Sequence, residues 1–267
     1  MIELLYNTLT GLSVPALIFL IVSIFLHYRY PIVVLEKCFP RNLGFNLSSY
    51  FMDALLVAPI LVVIYQWLHN SITTHQIMLP SSTIFSTLPE YVTIFVILIL
   101  GDFIGYCRHR IEHHRALWPI HVMHHSDKHM NWMTIFRFHP ANRLNTLIID
   151  NAFLLVLGFP AWALIINGLI RHYYGMFIHA DLPWTFGPVL GKVLVSPAMH
   201  RWHHALDGKG MNSNFATLFA FFDLMFGTYY LPGPCTSDLG TTTAKGDSPL
   251  AYVKELVNPI LMMVRKH

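Results

Sequence analysis

The apolar positions of this chain fall in long blocks rather than at helix or strand spacing. Three blocks, about 11–30, 50–68 and 89–107, each approach the roughly 20 residues that a helix needs to cross a bilayer core. A fourth, 144–170, is broken by Gly158-Phe159-Pro160 and carries Asp150 and Asn151. Its halves, 144–157 and 161–170, are too short to span, so the block reads as a re-entrant helical hairpin turning at Gly158 and Pro160. One long kinked span is the alternative. The first block follows Glu3 with no Lys or Arg and precedes no small-x-small pattern, so it reads as a span and not as a signal peptide. Residues 232–250, rich in Pro, Gly, Ser and Thr, read as a mobile loop, and 251–266 as an interfacial helix.

Composition and charge sharpen this picture. Of 267 residues, 54% are hydrophobic and only 12% charged, against about 25% in a soluble domain. That excludes a disordered chain and a nucleic-acid module. The three cysteines stand far apart and give no disulfide framework, zinc ribbon or iron–sulfur motif. Loop 69–88 holds no Lys or Arg, whereas Arg29, Lys37 and Arg41, the six basic residues of 108–143, and the eight after the hairpin make up all 17. With the N-terminus outside and a hairpin that does not cross, all of them are cytoplasmic, which satisfies the positive-inside rule.

The unusual residue is histidine. Thirteen of 17 lie between His109 and His204 in repeated patterns: His109-x-x-x-His113, His121-x-x-His124-His125 and His200-x-x-His203-His204, with His179 between the last two. On a helix, residues i and i+4 lie one above the other and i+3 lies beside them, so each group aims imidazoles at one region. Eight imidazoles, or nine with His179, suit two metals that keep room for another ligand. Imidazole suits zinc, copper, iron and nickel, and the missing thiolates disfavour Cu(I). Redox metals with open positions would suit oxygen activation; zinc would point to hydrolysis or structure. His27, His69, His75 and His267 read as interfacial or core residues, His114 and His129 as candidates for spectators, and His172, two turns before His179, as a candidate for the metal-facing side. Asp102, seven residues before His109, is expected to accept an N–H from a ligand histidine.

Taken together, Asp102…Tyr106…His109-Arg110…His113, His121…His124-His125-Ser126, Asn131-Trp132, Arg137-Phe138-His139-Pro140, Phe177-Ile178-His179, Pro197…His200-Arg201-Trp202-His203-His204, Asn214 and Asp223…Phe226-Gly227-Thr228-Tyr229 resemble the fatty acid hydroxylase/sterol desaturase superfamily. The likeness spans about 98–231. It implies a cytosolic histidine-rich cap over a transmembrane helical bundle, and two irons held by His109, His113, His121, His124, His125, His179, His200, His203 and His204. His139 would serve the scaffold or support a ligand. It also implies O2 as co-substrate and hydroxylation or desaturation of a lipid C–H bond, with zinc as a substitute metal.

The expected architecture is therefore an all-α integral membrane protein: 1–97 an N-terminal transmembrane region, 98–231 a catalytic region with the hairpin 144–170 and a dinuclear site, and 232–267 a C-terminal loop and helix. The expected partners are the membrane, a lipid substrate, and a separate electron donor of cytochrome b5, ferredoxin or flavoprotein type, since no G-x-G-x-x-G is present. The expected location is a bacterial inner membrane, with the endoplasmic reticulum as the alternative, and the histidines and C-terminus cytoplasmic. Two other classes compete. A zinc-dependent membrane hydrolase lacks the H-E-x-x-H base, because Arg110 follows His109. A metal-binding or transport protein would place its ligands near midplane.

Overall fold

The structure, a computed structural model, describes residues 2–27, 42–79, 84–206, 208–244 and 246–264. Arg29, Lys37, Arg41, Lys245, Arg265, Lys266, His267 and the side chain of His27 lie outside the described residues. Among the described residues there is no strand; one isolated antiparallel bridge joins Ala205 to Leu239. The helices are α1 (Ile2–His27), α2 (Leu43–Thr74), α3 (Glu90–Glu112), α4 (140–156), α5 (Ala161–His179), α6 (Pro197–His203) and α7 (Pro249–Val264), with several single turns between them.

Among the described residues, two helices, α2 and α3, are long and apolar enough to cross a membrane. In α1 the apolar stretch Tyr6–Val22 falls short of that length. Block 50–68 becomes part of a longer helix that begins at Leu43, and 89–107 extends through Arg108 and His109 to Glu112. Both α2 and α4 contain one π-helical turn, at Asp53–Val57 and Leu147–Asn151.

The break at Gly158-Phe159-Pro160 lies where the pattern places it. Gly158 adopts φ 89°, a left-handed conformation that favours glycine, and Pro160 caps α5. The two arms are longer than the pattern suggested, because Pro140 starts the first and the second runs on to His179. The turn packs beside the C-terminal end of α2: Leu79 N–H donates to the Val156 carbonyl at 3.0 Å, and Ile72, Leu154, Leu155 and Phe159 share one buried cluster with Ile97 and Ile104 of α3.

In lipid no hydrophobic force draws helices together, so close approach and polar contacts must do so. Between α3 and α5 they are explicit. Gly101 and Gly105 lack side chains where Asn167 and Arg171 cross, and a Cβ at Gly105 would collide with the Arg171 guanidinium. That guanidinium is held by Asp150 at 3.2 Å and lies 3.7 Å from Asp102. Arg108 continues the chain of charge, at 2.8 Å from both Asp150 and Glu112.

At the other end, Phe45, Met123, Ala251 and Tyr252 form a buried cluster that packs one face of α7 against α2 and the histidine segment, while Leu250, Val253 and Val257 of α7 are exposed. The loop before it is also tied down. Leu206 N–H donates to Asp238 at 2.7 Å and Gly240 N–H to His204 at 3.1 Å.

The crossing yields a direct test. Gly105→Val should destabilise the protein in detergent by about 2 kcal/mol or more, because Arg171 is locked by its carboxylates. Gly168→Ala, where a Cβ meets nothing within 4 Å, should be neutral or slightly stabilising. Thermal unfolding of both variants measures this, and equal shifts would contradict the packing described.

Candidate metal centre

Four backbone segments deliver the imidazoles. The last turns of α3 carry His109 and His113. A single turn, Trp118–His121, with Pro119 preset for its first positions, runs into a 3-10 turn at His124–Ser126. His179 ends α5. Ser196 caps α6 by accepting Met199 N–H at 3.2 Å, and α6 presents His200 and His203, with His204 at its C-cap.

The nine histidines form two groups. In the first, His109, His113, His121, His125 and His203 bring one ring nitrogen each within 4.8 Å of one another; in the second, His124, His179, His200 and His204 do the same. The division is the same in both H-x-x-H-H words. In each such word the i, i+4 pair (His121 and His125, or His200 and His204) enters one group and the odd residue (His124 or His203) enters the other. Each word therefore straddles both groups and fixes them side by side.

Hydrogen bonds set the proton positions. His109 Nδ1 lies 2.8 Å from the Phe215 carbonyl, His179 Nδ1 2.6 Å from Gly175 and His203 Nδ1 2.6 Å from Ser213. A carbonyl only accepts, so each Nδ1 keeps its proton and each Nε2 presents a lone pair. The Nε2 atoms of His109 and His203 nevertheless face each other at 3.0 Å. Two lone pairs at that distance have no proton to share unless one ring becomes an imidazolium. Burial opposes that, holding the His203 pKa down to about 4, and burial with neighbouring imidazoles likewise lowers His121, His124, His125, His200 and His204.

A cation resolves the conflict, and the spacings fit one. Ligand nitrogens at about 2.1 Å from one ion stand about 3.0 Å apart at a right angle and about 3.4 Å apart at the tetrahedral angle. The facing Nε2 pairs, His109–His203, His113–His125, His124–His179 and His179–His200, stand 3.0, 3.1, 3.2 and 3.1 Å apart. Among the described residues, both ring nitrogens of His121 and of His204, and Nδ1 of His124, His125 and His200, are buried without a hydrogen-bond partner. Each such atom costs about 1–3 kcal/mol unless something binds it. The donor set is all imidazole, which suits borderline transition metals.

Aromatic rings wall the site. Phe138 stacks on His124 at 4.4 Å, Trp118 lies 5.2 Å from His113, and Phe215 lies 5.1–5.7 Å from His109, His113 and His203. Glu112, fully buried and bonded by Arg108 and Asn145, places Oε2 3.4 Å from His121 Nδ1. Asp127 accepts from Asn42 and Thr134 beside the buried Arg137, which donates to Asn46, Ser126 and Asp247. That network clamps the segment after His125.

Asp102 has a different role from the one expected. It takes no histidine N–H; its oxygens accept the backbone N–H groups of Thr217, Leu218 and Phe219 at 2.8–3.2 Å. It thereby anchors the 215–219 segment, whose Phe215 carbonyl orients His109. The reason is steric and local: on α3 the Asp102 side chain faces the 215–219 segment, which offers three converging donors. Asp223 supports the same segment through Phe215 N–H at 2.8 Å and Ala216 N–H at 3.1 Å. His139 caps α4, accepting Ala141 N–H at Nδ1 and donating from Nε2 to Leu256, each at 3.1 Å. His172 joins neither group and packs by Phe136 and Tyr173. His114, His129, His69 and His75 also stand outside both groups.

The family model for fatty acid hydroxylases matches residues 94–228, half of the chain. The chain belongs to the fatty acid hydroxylase family. All nine histidines and Asp102 fall inside the matched span. Among curated relatives of this fatty acid hydroxylase family member is the ornithine lipid hydroxylase OlsE of Rhizobium tropici, 29% identical over 173 residues, covering 63% of this chain and 50% of the relative. Alkylglycerol monooxygenases of Caenorhabditis elegans and Danio rerio are 29% and 30% identical, each covering 49% of this chain and 26% and 29% of their own length. The chain therefore spans half or less of the relatives it matches. No solved structure matches it.

His203→Ala removes a nitrogen from the five-histidine group. It should lower bound metal from about two ions per chain toward one, as counted by elemental analysis after anaerobic loading, while His75→Ala should leave the count unchanged. Equal metal content in the two variants would remove His203 from the ligand set.

Proposed function

We propose that this protein is a membrane-bound, di-iron lipid oxygenase that hydroxylates a C–H bond, with desaturation as the variant outcome, using O2 and electrons from a separate cytochrome b5-, ferredoxin- or flavoprotein-type donor. The observation that carries the reading is the pair of buried, all-imidazole groups, in the first of which the Nε2 lone pairs of His109 and His203 face one another. The family and the named activities of the relatives supply the lipid and the oxidation chemistry.

Within this reading, His109, His113, His121, His125 and His203 hold one iron and His124, His179, His200 and His204 the other. Bound iron supplies reduction and activation of molecular oxygen. The chain's own residues do the rest. The carbonyls of Phe215, Gly175 and Ser213 keep the Nδ1 protons in place, so that Nε2 stays a ligand atom. Phe138, Trp118 and Phe215 exclude water from the surroundings. Asp102 and His139 act as positioning residues, through the 215–219 segment and the start of α4.

The membrane placement follows from the same helices. If α2 and α3 cross, then α4 and α5 traverse the same depth, because their turn packs at the α2–α3 connection. The hairpin then returns to its starting side. All histidine groups and the C-terminus lie on that side, which the basic residues mark as cytoplasmic. A bacterial inner membrane fits this compact arrangement, and an endoplasmic-reticulum membrane fits it equally.

The overall balance is R–H + O2 + 2 electrons + 2 H⁺ → R–OH + H2O. Cells expressing the chain under 18O2 should accumulate a lipid that carries one labelled oxygen, or a lipid lacking two hydrogens, and His124→Ala should abolish it. Lipid cleavage that proceeds without oxygen, with one zinc per chain, would overturn the proposal in favour of a hydrolase.

A further inference from the structure

We propose that Asp53 and Arg143 form a binding site for the headgroup of a zwitterionic lipid, one that carries an ammonium and an anionic group. The proposal rests on the oxygenase reading for its outcome, but not for the binding itself.

The two side chains come from α2 and α4. Arg143 Nε lies 3.1 Å from Asp53 Oδ1, and the pair is only partly covered, with 22% and 27% of the side chains exposed. This is an unusual place for partly exposed charge, because Asp53 stands within the long apolar helix α2. Ionisable groups in such segments are expensive and usually serve a function. Arg143 is also under-used. Arg108, Arg137, Arg171 and Arg201 each donate hydrogen bonds to carboxylate, amide or carbonyl oxygens, whereas no hydrogen bond from Arg143 is found among the described residues. Its free guanidinium edge offers the paired donors that suit a carboxylate or phosphate. Asp53 beside it offers oxygens to an ammonium. Asp53 opens one π-helical turn and Arg143 lies one turn before the other, an irregularity common at functional sites.

Apolar stripes lead away from this charged notch. On α2, Leu56, Ile60, Val63 and Trp67 are exposed at spacings of three and four residues, over about 16 Å. On α5, Ile165 and Leu169 are exposed and the next position on that face is Tyr173, beside His172. Because α5 returns toward the start of α2, both stripes depart from the notch in the same direction. A head held at Asp53 and Arg143 would thus have its tails laid along apolar helix surface, as a lipid requires.

The notch is also close to the metal centre. The Arg143 guanidinium sits over the Phe138 ring at 4.7 Å, and the same ring stacks on His124 at 4.4 Å. One aromatic ring separates the headgroup from the four-histidine group. The oxidised carbon should therefore lie in the headgroup or in the first few carbons beyond it, rather than near the end of a tail.

The test uses the full chain in maltoside micelles, with lipid binding read by native mass spectrometry. The probes share acyl chains: phosphatidylethanolamine, an aminoacyl lipid with free carboxylate and ammonium, phosphatidylglycerol and diacylglycerol. At least one zwitterion should bind about tenfold or more tightly than diacylglycerol, and the two zwitterion arms distinguish phosphate from carboxylate. Arg143→Gln and Asp53→Asn should each erase most of that preference while metal content stays at the wild-type value, and Arg143→Lys should restore part of it. Equal binding of all four probes, or a preference untouched in both variants, would overturn the site. Fragmentation of the oxidised lipid should place the new oxygen in the head-proximal portion; an oxygen near the tail end would contradict the geometry. A binding preference that depends on Arg143, seen in a protein with no oxygen-dependent product, would uphold the site and count against the oxygenase reading alone.

Discussion

Lone pairs that point at one another inside a protein need something positive between them. In this chain the carbonyls of Phe215 and Ser213 keep protons on Nδ1 of His109 and His203, so the facing Nε2 atoms at 3.0 Å have no proton to share. Burial keeps these rings neutral. The arrangement therefore favours a cation at this pair, which sits within a larger set of nine imidazoles in two groups. Much of the surrounding structure can be understood as what holds that set in place.

The supports are polar and buried, and they link segments far apart in sequence. Asp102 of α3 collects three amides of 217–219, and Asp223 collects two from 215–216, so the loop that orients His109 is pinned from two sides. Arg137 joins Asn46, Ser126 and Asp247, which fixes the 3-10 turn carrying His124 and His125 against α2 and the start of α7. Removing one partner of such a buried pair typically costs about 3–5 kcal/mol.

The histidine words were legible because i, i+4 periodicity is a local property, and the rings at those positions had to share a face. The assignment within H-x-x-H-H was not legible. Whether His124 or His125 joins His121 depends on the 3-10 turn at 124–126 and on which segment meets it across the site. Asp102 was misassigned for a related reason: its seven-residue spacing from His109 showed a common face but not the 215–219 segment that occupies it. The hairpin turn was readable from Gly158 and Pro160, whereas the length of its arms was not, because Arg143, Asp150 and Arg171 interrupt the apolar pattern and are paid for by partners on other helices. The charged notch at Asp53 and Arg143 was invisible for the same reason, since 90 residues separate its members.

The central claim is that two imidazole-only shells each hold an iron. X-ray absorption at the iron edge of anaerobically purified, full-length protein, with elemental analysis of the same sample, tests it most directly. The account predicts two irons per chain, a first shell dominated by nitrogen with the outer-ring scattering of several imidazoles, and no sulfur. A single zinc per chain, or a shell of sulfur or mainly carboxylate oxygen, would contradict it.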